Sequence, residues 1–327
     1  MTSPLAFSRR SFLATGAALG ASLAVPMRAA AQEALTLAWY PGIATPQVPL
    51  ALTGDLWSPE GVAVNPVGFS SGREALEAVL GGAADFATLS EFPATLAALR
   101  DQPFRVLANL SLFTDNKIIA NRKSGVTDLA SLQGRKFGVT VGVSSQFLAD
   151  SFFADHGITT EPVNIPPSEL VPALARGDVD AVIVFDSFYK AARDALGEDY
   201  LEFPITDYPT FFIVGASEKV IEERPDAVRG FLRGLLSAQK LVSDQAKTVQ
   251  AITDSTSGAF TLEAANALWP VFDFRVALPA ELLKIQLAEG KWLNAQGLIP
   301  TEVTEELLRS HIADQFLREL APEAVTL

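Results

Sequence analysis

The chain has 327 residues, 49% of them hydrophobic and 19% charged, which is typical of a globular protein of about two domains. Its formal net charge of −13 argues against nucleic-acid binding, which needs a positive surface opposite the phosphates. Cysteine is absent, which excludes disulfides, thiol nucleophiles, iron–sulfur clusters and cysteine-ligated zinc.

The first 31 residues have the order of an export signal. Arg9 and Arg10 precede an apolar stretch over residues 12–25, and three alanines follow at 29–31. A basic start, a short apolar segment and a small-residue cleavage site are typical of a signal peptide, and the string SRRSFL resembles a twin-arginine (Tat) signal. We therefore predict a Tat-type signal peptide over residues 1–31 and a mature protein in the periplasm. The alternative is an anchoring amphipathic helix.

After this segment, short apolar runs alternate with segments of helical spacing. The predicted strands are residues 35–39, 62–69, 85–89, 104–112, 117–121, 160–165 and 210–215. The predicted helices are residues 50–57, 74–80, 226–252, 262–268, 280–295 and 302–320. Alternation of strands and helices predicts βαβ units and a largely parallel sheet.

An internal repeat connects two of these units. The segment EALEAVLGGAADFATLSE at 74–91 aligns without gaps with ELVPALARGDVDAVIVFD at 169–186. Each copy predicts a helix, a glycine that ends it in a left-handed turn, an aspartate, a buried strand and an acid just past that strand. The pairs that matter below are Gly82 with Gly177, Asp85 with Asp180, and Glu91 with Asp186.

Two similar α/β units predict two similar lobes. The strands at 104–112 and 117–121 lie between the repeats and suit a crossing from one lobe to the other, and the strand at 210–215 suits the return. The predicted lobes are residues 32–112 with 216–327 for the first, and residues 113–215 for the second.

Four segments occur in an order that is typical of one family. They are GGAADFA, SLQGRKFGVTVGVSSQFL, GDVDAVIVFDSF and KWLNAQGLIP. Through them the chain resembles the NitT/TauT-type ABC substrate-binding proteins, also described as SsuA/THI5-like, over residues 35–298. The resemblance implies an α/β type II periplasmic-binding-protein fold, in which two lobes joined by two crossing strands hold a ligand in their cleft. It also implies an ABC permease in the inner membrane as the partner of a monomeric binding protein.

Ligands of open α/β sheets bind beyond the carboxyl ends of the strands, and that rule selects the candidate site. Serines that open helices offer free backbone N–H groups, aromatic rings can sandwich a planar ligand, and acids accept hydrogen bonds from amino groups. The candidate ligand-binding residues are Trp39, Tyr40, Ser70, Ser71, Ser90, Glu91, Gly142, Ser144, Ser145 and Asp186.

Several of these residues have a purely structural alternative. Ser70, Ser144 and Asp186 can serve only as helix caps, and Trp39 can belong to the core. Glu91 is the stronger functional candidate, because a helix cap does not require glutamate.

The predicted ligand follows from the two acids at aligned positions of the repeats. Because Glu91 and Asp186 would repel a purely anionic molecule, we predict a solute with amino or ring N–H donors, such as a pyrimidine. Arg73 could offset one of the two charges. The alternative is an anion of the nitrate, alkanesulfonate or taurine type.

The predicted role is binding without catalysis, with no catalytic residue, metal or cofactor. The less favoured alternative is a pyrimidine-synthesising enzyme of the same superfamily, which uses clustered cysteine and histidine. This chain has no cysteine, and its two histidines, His156 and His311, lie far apart in sequence. A partner of a sensor kinase or chemoreceptor, built on the same fold, is a third possibility.

Overall fold

The computed structural model describes residues 34–256 and 260–327, so the predicted signal peptide lies outside the described residues. The strands are β1 (Leu35–Trp39), β2 (Val64–Gly68), β3 (Phe86–Ser90), β4 (Phe104–Phe113), β5 (Asn116–Asn121), β6 (Lys136–Val139), β7 (Glu161–Asn164), β8 (Ala181–Ile183), β9 (Tyr200–Ile205), β10 (Thr210–Ser217) and β11 (Phe272–Ala277). The helices are α1 (Gln47–Thr53), α2 (Gly72–Leu80), α3 (Glu91–Leu99), α4 (Ser144–Asp155), α5 (Pro167–Arg176), α6 (Tyr189–Leu196), α7 (Glu218–Glu223), α8 (Pro225–Gln239), α9 (Gln245–Ser255), α10 (Leu262–Leu268), α11 (Ala280–Ala295), α12 (Glu305–Ser310) and α13 (Asp314–Leu320).

The strands form two sheets that are built on one plan. The first has the order β11-β4-β10-β3-β1-β2 and the second the order β7-β6-β8-β5-β9. In the first sheet β1 pairs in parallel with β2 and β3, and in the second β6 pairs in parallel with β7 and β8. An antiparallel strand, β10 or β5, then continues each sheet beside β3 or β8.

The internal repeat predicted from the sequence is present in atomic detail. Gly82 and Gly177 have φ angles of 76° and 80°, in the left-handed region that glycine adopts most easily. Asp85 Oδ2 accepts the backbone N–H of Thr36 in β1 at 2.8 Å. In the second copy, Asp180 Oδ2 accepts the N–H of Lys136 in β6 at 3.0 Å. Each aspartate therefore links its repeat by a hydrogen bond to the neighbouring parallel strand.

The chain passes between the two sheets twice within the described residues. It leaves the first sheet after Phe113 and enters the second at Asn116. It leaves the second sheet after Ile205 and rejoins the first at Thr210, so β10 lies wholly in the first sheet.

The first sheet buries its apolar side chains against α8 and its neighbours. The rings of Phe86 in β3 and Phe231 in α8 stack with their centroids 4.1 Å apart, and Trp57 also stacks with Phe231, at 5.4 Å. Such aromatic burial supplies much of the hydrophobic stabilisation of a sheet–helix interface.

Two predicted helices are divided in the structure. The segment 226–252 forms α8 and α9, because Asp244 accepts the N–H of Lys247 at 3.1 Å and caps a new helix. The segment 302–320 forms α12 and α13. The break occurs where His311 and Ala313 make backbone hydrogen bonds with Val106 of β4. Tertiary pairing there replaces the helical pattern that apolar spacing predicts.

None of the helices within residues 34–256 and 260–327 combines the length and the apolar character needed to cross a bilayer.

Candidate functional site

A cavity lies between the two sheets at the carboxyl ends of their parallel strands. It holds about 640 Å³ of empty space, part of which is open to solvent, and side chains from both sheets line it. A space lined from two sheets at the ends of their strands is the usual place for a small-molecule ligand in α/β proteins.

Six of the ten candidate residues line this cavity. They are Tyr40, Ser71, Ser90, Ser144, Ser145 and Asp186. The first three follow the parallel strands of the first sheet, and the others follow those of the second, so the strand-end rule brings them to one place.

The other four candidates lie elsewhere. Trp39 is buried in the core and its Nε1 donates to the hydroxyl of Thr45 at 2.8 Å. Ser70 is exposed and donates its hydroxyl to Glu74 Oε2 at 2.7 Å. Gly142 lines a neighbouring groove, where Arg73 lies against it. Glu91 faces the core.

Hydroxyl groups and helix starts form the polar part of the cavity wall. Ser71 caps α2, and its Oγ accepts the N–H of Glu74 at 3.3 Å. Ser144 opens α4 from the second-sheet side, and its hydroxyl donates to Ser90 Oγ at 3.2 Å across the cavity. Ser144 is the first residue of α4, whose N-cap is Val143, so its hydroxyl makes a contact between the two sides of the cavity. Because the first N–H groups of each helix have no intrahelical partner, α2, α3 and α4 direct donors and positive dipole ends at this space.

The cavity carries one cation and one acid. Arg73, in the first turn of α2, lines it while pairing with Glu77 at 3.1 Å. Asp186, in the wall after β8, has no ion pair with any described residue, and burial raises its pKa to about 6. Hydrogen bonds from its own N–H and that of Ser187 limit this shift. Asp186 is therefore ionised at neutral pH in a place that disfavours its charge.

Aromatic rings form the apolar part of the wall. Tyr40 and Phe185 meet edge to face across the cavity, with ring centroids 6.4 Å apart. Burial and the nearby charge of Asp186 raise the pKa of Tyr40 to about 12, so its hydroxyl stays protonated and can donate a hydrogen bond.

Sequence reasoning missed the lining residues at the strand ends that flank the two passages between the sheets. They are Phe113, Asn116, Thr210 and Phe212. Asn116 Nδ2 donates to Thr210 Oγ1 at 3.1 Å, so the two passages are joined beside the cavity. The crossings themselves were predicted from the strand pattern. Because both crossings must pass the cleft, the side chains next to them could have been selected as lining residues.

Glu91 is enclosed behind the wall. It is the first residue of α3, is 0% exposed, and its Oε2 accepts the N–H of Phe211 at 2.8 Å. Its carboxyl group also contacts that of Glu289 in α11. Burial raises the pKa of Glu91 to about 7, which its hydrogen bonds only partly offset.

The comparison with protein families gives a clear result. A family model described as NMT1/THI5-like matches residues 50–248, which is more than half of the chain. The chain belongs to the NMT1/THI5-like family. This membership confirms the resemblance that the sequence motifs indicated.

Individual relatives agree with this family. A protein of Brucella abortus that is named only as a binding protein is 25% identical over 281 residues, covering 80% of this chain and 84% of its own. The alkanesulfonate-binding protein SsuA from Xanthomonas axonopodis, solved with MOPS bound, superposes with a TM-score of 0.72 at 21% identity, covering 88% of this chain and all of its own. The nitrate-binding protein NrtA from Synechocystis superposes with a TM-score of 0.70 at 13% identity, covering 89% and 88%. These structures confirm the predicted type II periplasmic-binding-protein fold.

Proposed function

We propose that this protein is the solute-binding component of an ABC importer and that it holds a small polar molecule between its two sheets. The main observation behind this proposal is the convergence on one cavity of polar side chains and helix N-termini that follow strands of both sheets. Arg73 and Asp186 lie in the wall of this cavity. Its family membership and its similarity to alkanesulfonate- and nitrate-binding proteins support this role.

We further propose that the two sheets belong to two lobes that close around the ligand. The sequence predicted a second lobe over residues 113–215. The chain leaves the first sheet after Phe113 and returns to it at Thr210, so we place the second lobe at about 114–209. Both passages lie beside the cavity, which is the position of a hinge. Small-angle scattering with a saturating ligand should show a smaller radius of gyration than the empty protein.

The two charged side chains define the proposed ligand. Asp186 favours a solute that presents amino or ring N–H donors, because a donor compensates the charge of an ionised carboxylate that burial disfavours. Arg73 and the starts of α2 and α4 favour acceptor atoms elsewhere on the same molecule. Tyr40 and Phe185 favour a flat or apolar body between these ends. A pyrimidine fits this description, and so does a short amino-bearing anion.

The second candidate is a purely anionic solute of the alkanesulfonate or nitrate type. Arg73 and the converging helix starts favour it, as do the ligands named for the SsuA and NrtA structures. In that case Asp186 would take no part in binding, or would bind a ligand atom only in its protonated form.

Calorimetric titration of a matched set of solutes separates the two candidates. The set is uracil, nitrate, taurine and ethanesulfonate, the last of which is taurine without its amino group. If Asp186 binds an N–H donor, Asp186→Asn should weaken binding of the preferred solute by about 1.5–3 kcal/mol, or roughly ten- to a hundredfold. The control variant Asp254→Asn, on the exposed face of α9, should bind like the wild type.

The same titration has a pH signature. Because the pKa of Asp186 is raised to about 6, affinity for an N–H donor should fall as the pH drops through 6 and the carboxylate is neutralised. Equal affinity for taurine and ethanesulfonate, unchanged in Asp186→Asn, would establish the purely anionic ligand instead.

We propose export to the periplasm by the Tat route, as the paired Arg9 and Arg10 indicate, and a permease as the partner of a monomeric protein. Replacing both arginines by lysine should abolish periplasmic accumulation. A sensor kinase or chemoreceptor that binds the closed protein is compatible with the same site. A pull-down from the inner membrane distinguishes such a receptor from the permease.

We propose binding without catalysis. Neither His156 nor His311 lines the cavity, so the clustered histidine of a pyrimidine-synthesising relative has no counterpart among the lining residues. Mass spectrometry of the solute after long incubation should recover it unchanged, and a new product would favour the enzyme alternative.

A further inference from the structure

Two acidic side chains meet in the core behind the wall of the cavity. Glu91, at the start of α3, and Glu289, in α11, are both 0% exposed. Their carboxyl groups interact directly, and neither forms an ion pair with a basic side chain among the described residues. Two ionised carboxylates in this position would repel each other with little screening by water.

Each carboxyl group has one oxygen with a donor and one without. Glu91 Oε2 accepts the N–H of Phe211 at 2.8 Å, and Glu289 Oε2 accepts the hydroxyl of Thr95 at 2.6 Å. Oε1 of Glu91 and Oε1 of Glu289 have no hydrogen-bond donor among the described residues. A buried polar atom without a partner is costly, and a protonated carboxyl can donate to its ionised neighbour. One proton between the two groups therefore satisfies both of these oxygens.

The pair is attached to two parts of the cavity wall. Glu91 directly follows Ser90, which lines the cavity. Phe211, whose N–H it binds, lies in β10 between Thr210 and Phe212, which also line it. The pair thus links the start of α3 to the lining part of β10, beside the strand pairing of Ser90 with Phe212.

We propose that Glu91 and Glu289 share one proton, and that this proton-linked pair positions the wall of the cavity formed by α3 and β10. The role of this wall in ligand binding rests on the proposed function, whereas the shared proton does not. Loss of the proton places two like charges side by side in the core, which separates α3 from α11 and loosens the Phe211 contact.

The direction of the pH effect follows from burial. Burial raises the pKa of Glu91 to about 7, and burial together with the charge of Glu91 raises the pKa of Glu289 well above its usual value. The folded chain therefore holds protons that the unfolded chain has released, so stability falls as pH rises. The unfolding equilibrium constant should rise about tenfold per pH unit for each proton retained. Between pH 7 and 9 this slope belongs to the pair, since Asp150 and Asp186, with pKa values of about 6, are already ionised.

Three variants of the empty protein test the proposal. Glu289→Gln replaces the shared proton by an amide N–H that does not titrate, and Glu91→Gln does the same from the other side. Glu281→Gln is the matched control, because Glu281 is an exposed acid of the same helix. The measurements are the infrared C=O stretch of a protonated carboxyl at pH 7, urea unfolding between pH 7 and 9, and hydrogen exchange of the Phe211 amide.

Wild type and Glu281→Gln should show the protonated-carboxyl band at pH 7 and an unfolding constant that rises with pH. Glu289→Gln should lose the band, show a nearly flat unfolding constant and keep Phe211 protected at pH 9. Absence of the band in the wild type overturns the shared proton, and this measurement needs no variant. Phe211 protection that is equal in wild type and Glu289→Gln at every pH overturns the positioning role. Failure to find any ligand overturns the proposed function and leaves these results unaffected.

Discussion

Glu91 and Asp186 hold the same place in the two repeats and have different surroundings. Each is the first residue of a helical turn that follows the last parallel strand of its unit. Glu91 is sealed in the core against Glu289, whereas Asp186 lies in the cavity wall without an ion pair in the described chain. The repeat therefore determines where the backbone places an acid, and the elements packed around it determine what that acid can do.

The difference comes from a helix that only one copy of the repeat contacts in this way. α11, far along the chain, packs against α3 and supplies Glu289 and a cover over Glu91. Beyond Asp186 the structure instead has empty space on two sides, the cavity and a second pocket that Lys117 and Tyr189 line. One acid is thereby committed to the core and the other remains available to a ligand.

The largest predicted effect contrasts these two acids directly. Glu91→Ala should lower the free energy of unfolding by about 3 kcal/mol or more at pH 7, since it leaves the Phe211 N–H unpaired and a cavity in the core. Asp186→Ala should leave stability nearly unchanged or raise it, because the fold disfavours the charge of Asp186. Urea denaturation of both variants in parallel measures the contrast.

Acid conditions sharpen the same comparison. The pKa of Asp186 is raised from 3.8 to about 6, so its unfavourable contribution to stability grows from pH 4 to pH 6 and is complete above that. The gain from Asp186→Ala should therefore vanish near pH 4. Equal losses of stability for Glu91→Ala and Asp186→Ala would contradict the assignment of one acid to the core.

This contrast also shows how far the sequence could lead. β1 was predicted at its observed bounds, and the aligned glycines and aspartates of the repeat have the same roles in both copies. These features depend on local periodicity and on turns, which a sequence expresses directly. The burial of Glu91 depends on Glu289, 198 positions later, and no local pattern identifies that partner.

The residues that line the cavity also fall into those that the sequence could identify and those that it could not. Tyr40, Ser90 and Asp186 could be selected because they follow strands, and strand ends are visible in the sequence. Asn116 and Thr210 are the first residues of the strands that follow the two passages, and their meeting depends on how the chain crosses. β9 and β11, each an outer strand of its sheet, were not predicted either, although the outer strands β2 and β7 were.

The second prediction concerns what the repeats share. Asp85→Ala and Asp180→Ala each remove the acceptor of one backbone N–H, that of Thr36 or of Lys136. Each should lower the free energy of unfolding by about 1–2 kcal/mol. Arg135 lies 3.7 Å from Asp180, but a partly exposed pair of that length should add little.

Thermal unfolding followed by calorimetry compares the two variants. Asp178→Ala is the control, because its carboxylate pairs with Arg176 at the exposed end of α5 and should matter little. Losses that differ by much more than that small surface contribution would mean that the two aspartates do not have equivalent roles.

The smallest predicted effect concerns the two aligned glycines of the repeat, where a substitution changes the backbone strain and no side-chain contact. Gly82 and Gly177 have φ angles of 76° and 80°, and an added Cβ at either position would meet no atom within 4 Å. Alanine at each should therefore cost only the strain of a left-handed residue, about 1 kcal/mol, and the same amount in both copies. Gly42→Ala is the control: an added Cβ there also meets no atom within 4 Å, and its φ is not positive, so it should be neutral or slightly stabilising. Urea midpoints at a common slope measure all three, and unequal losses at Gly82 and Gly177 would show that the two turns are not equivalent despite their dihedral angles.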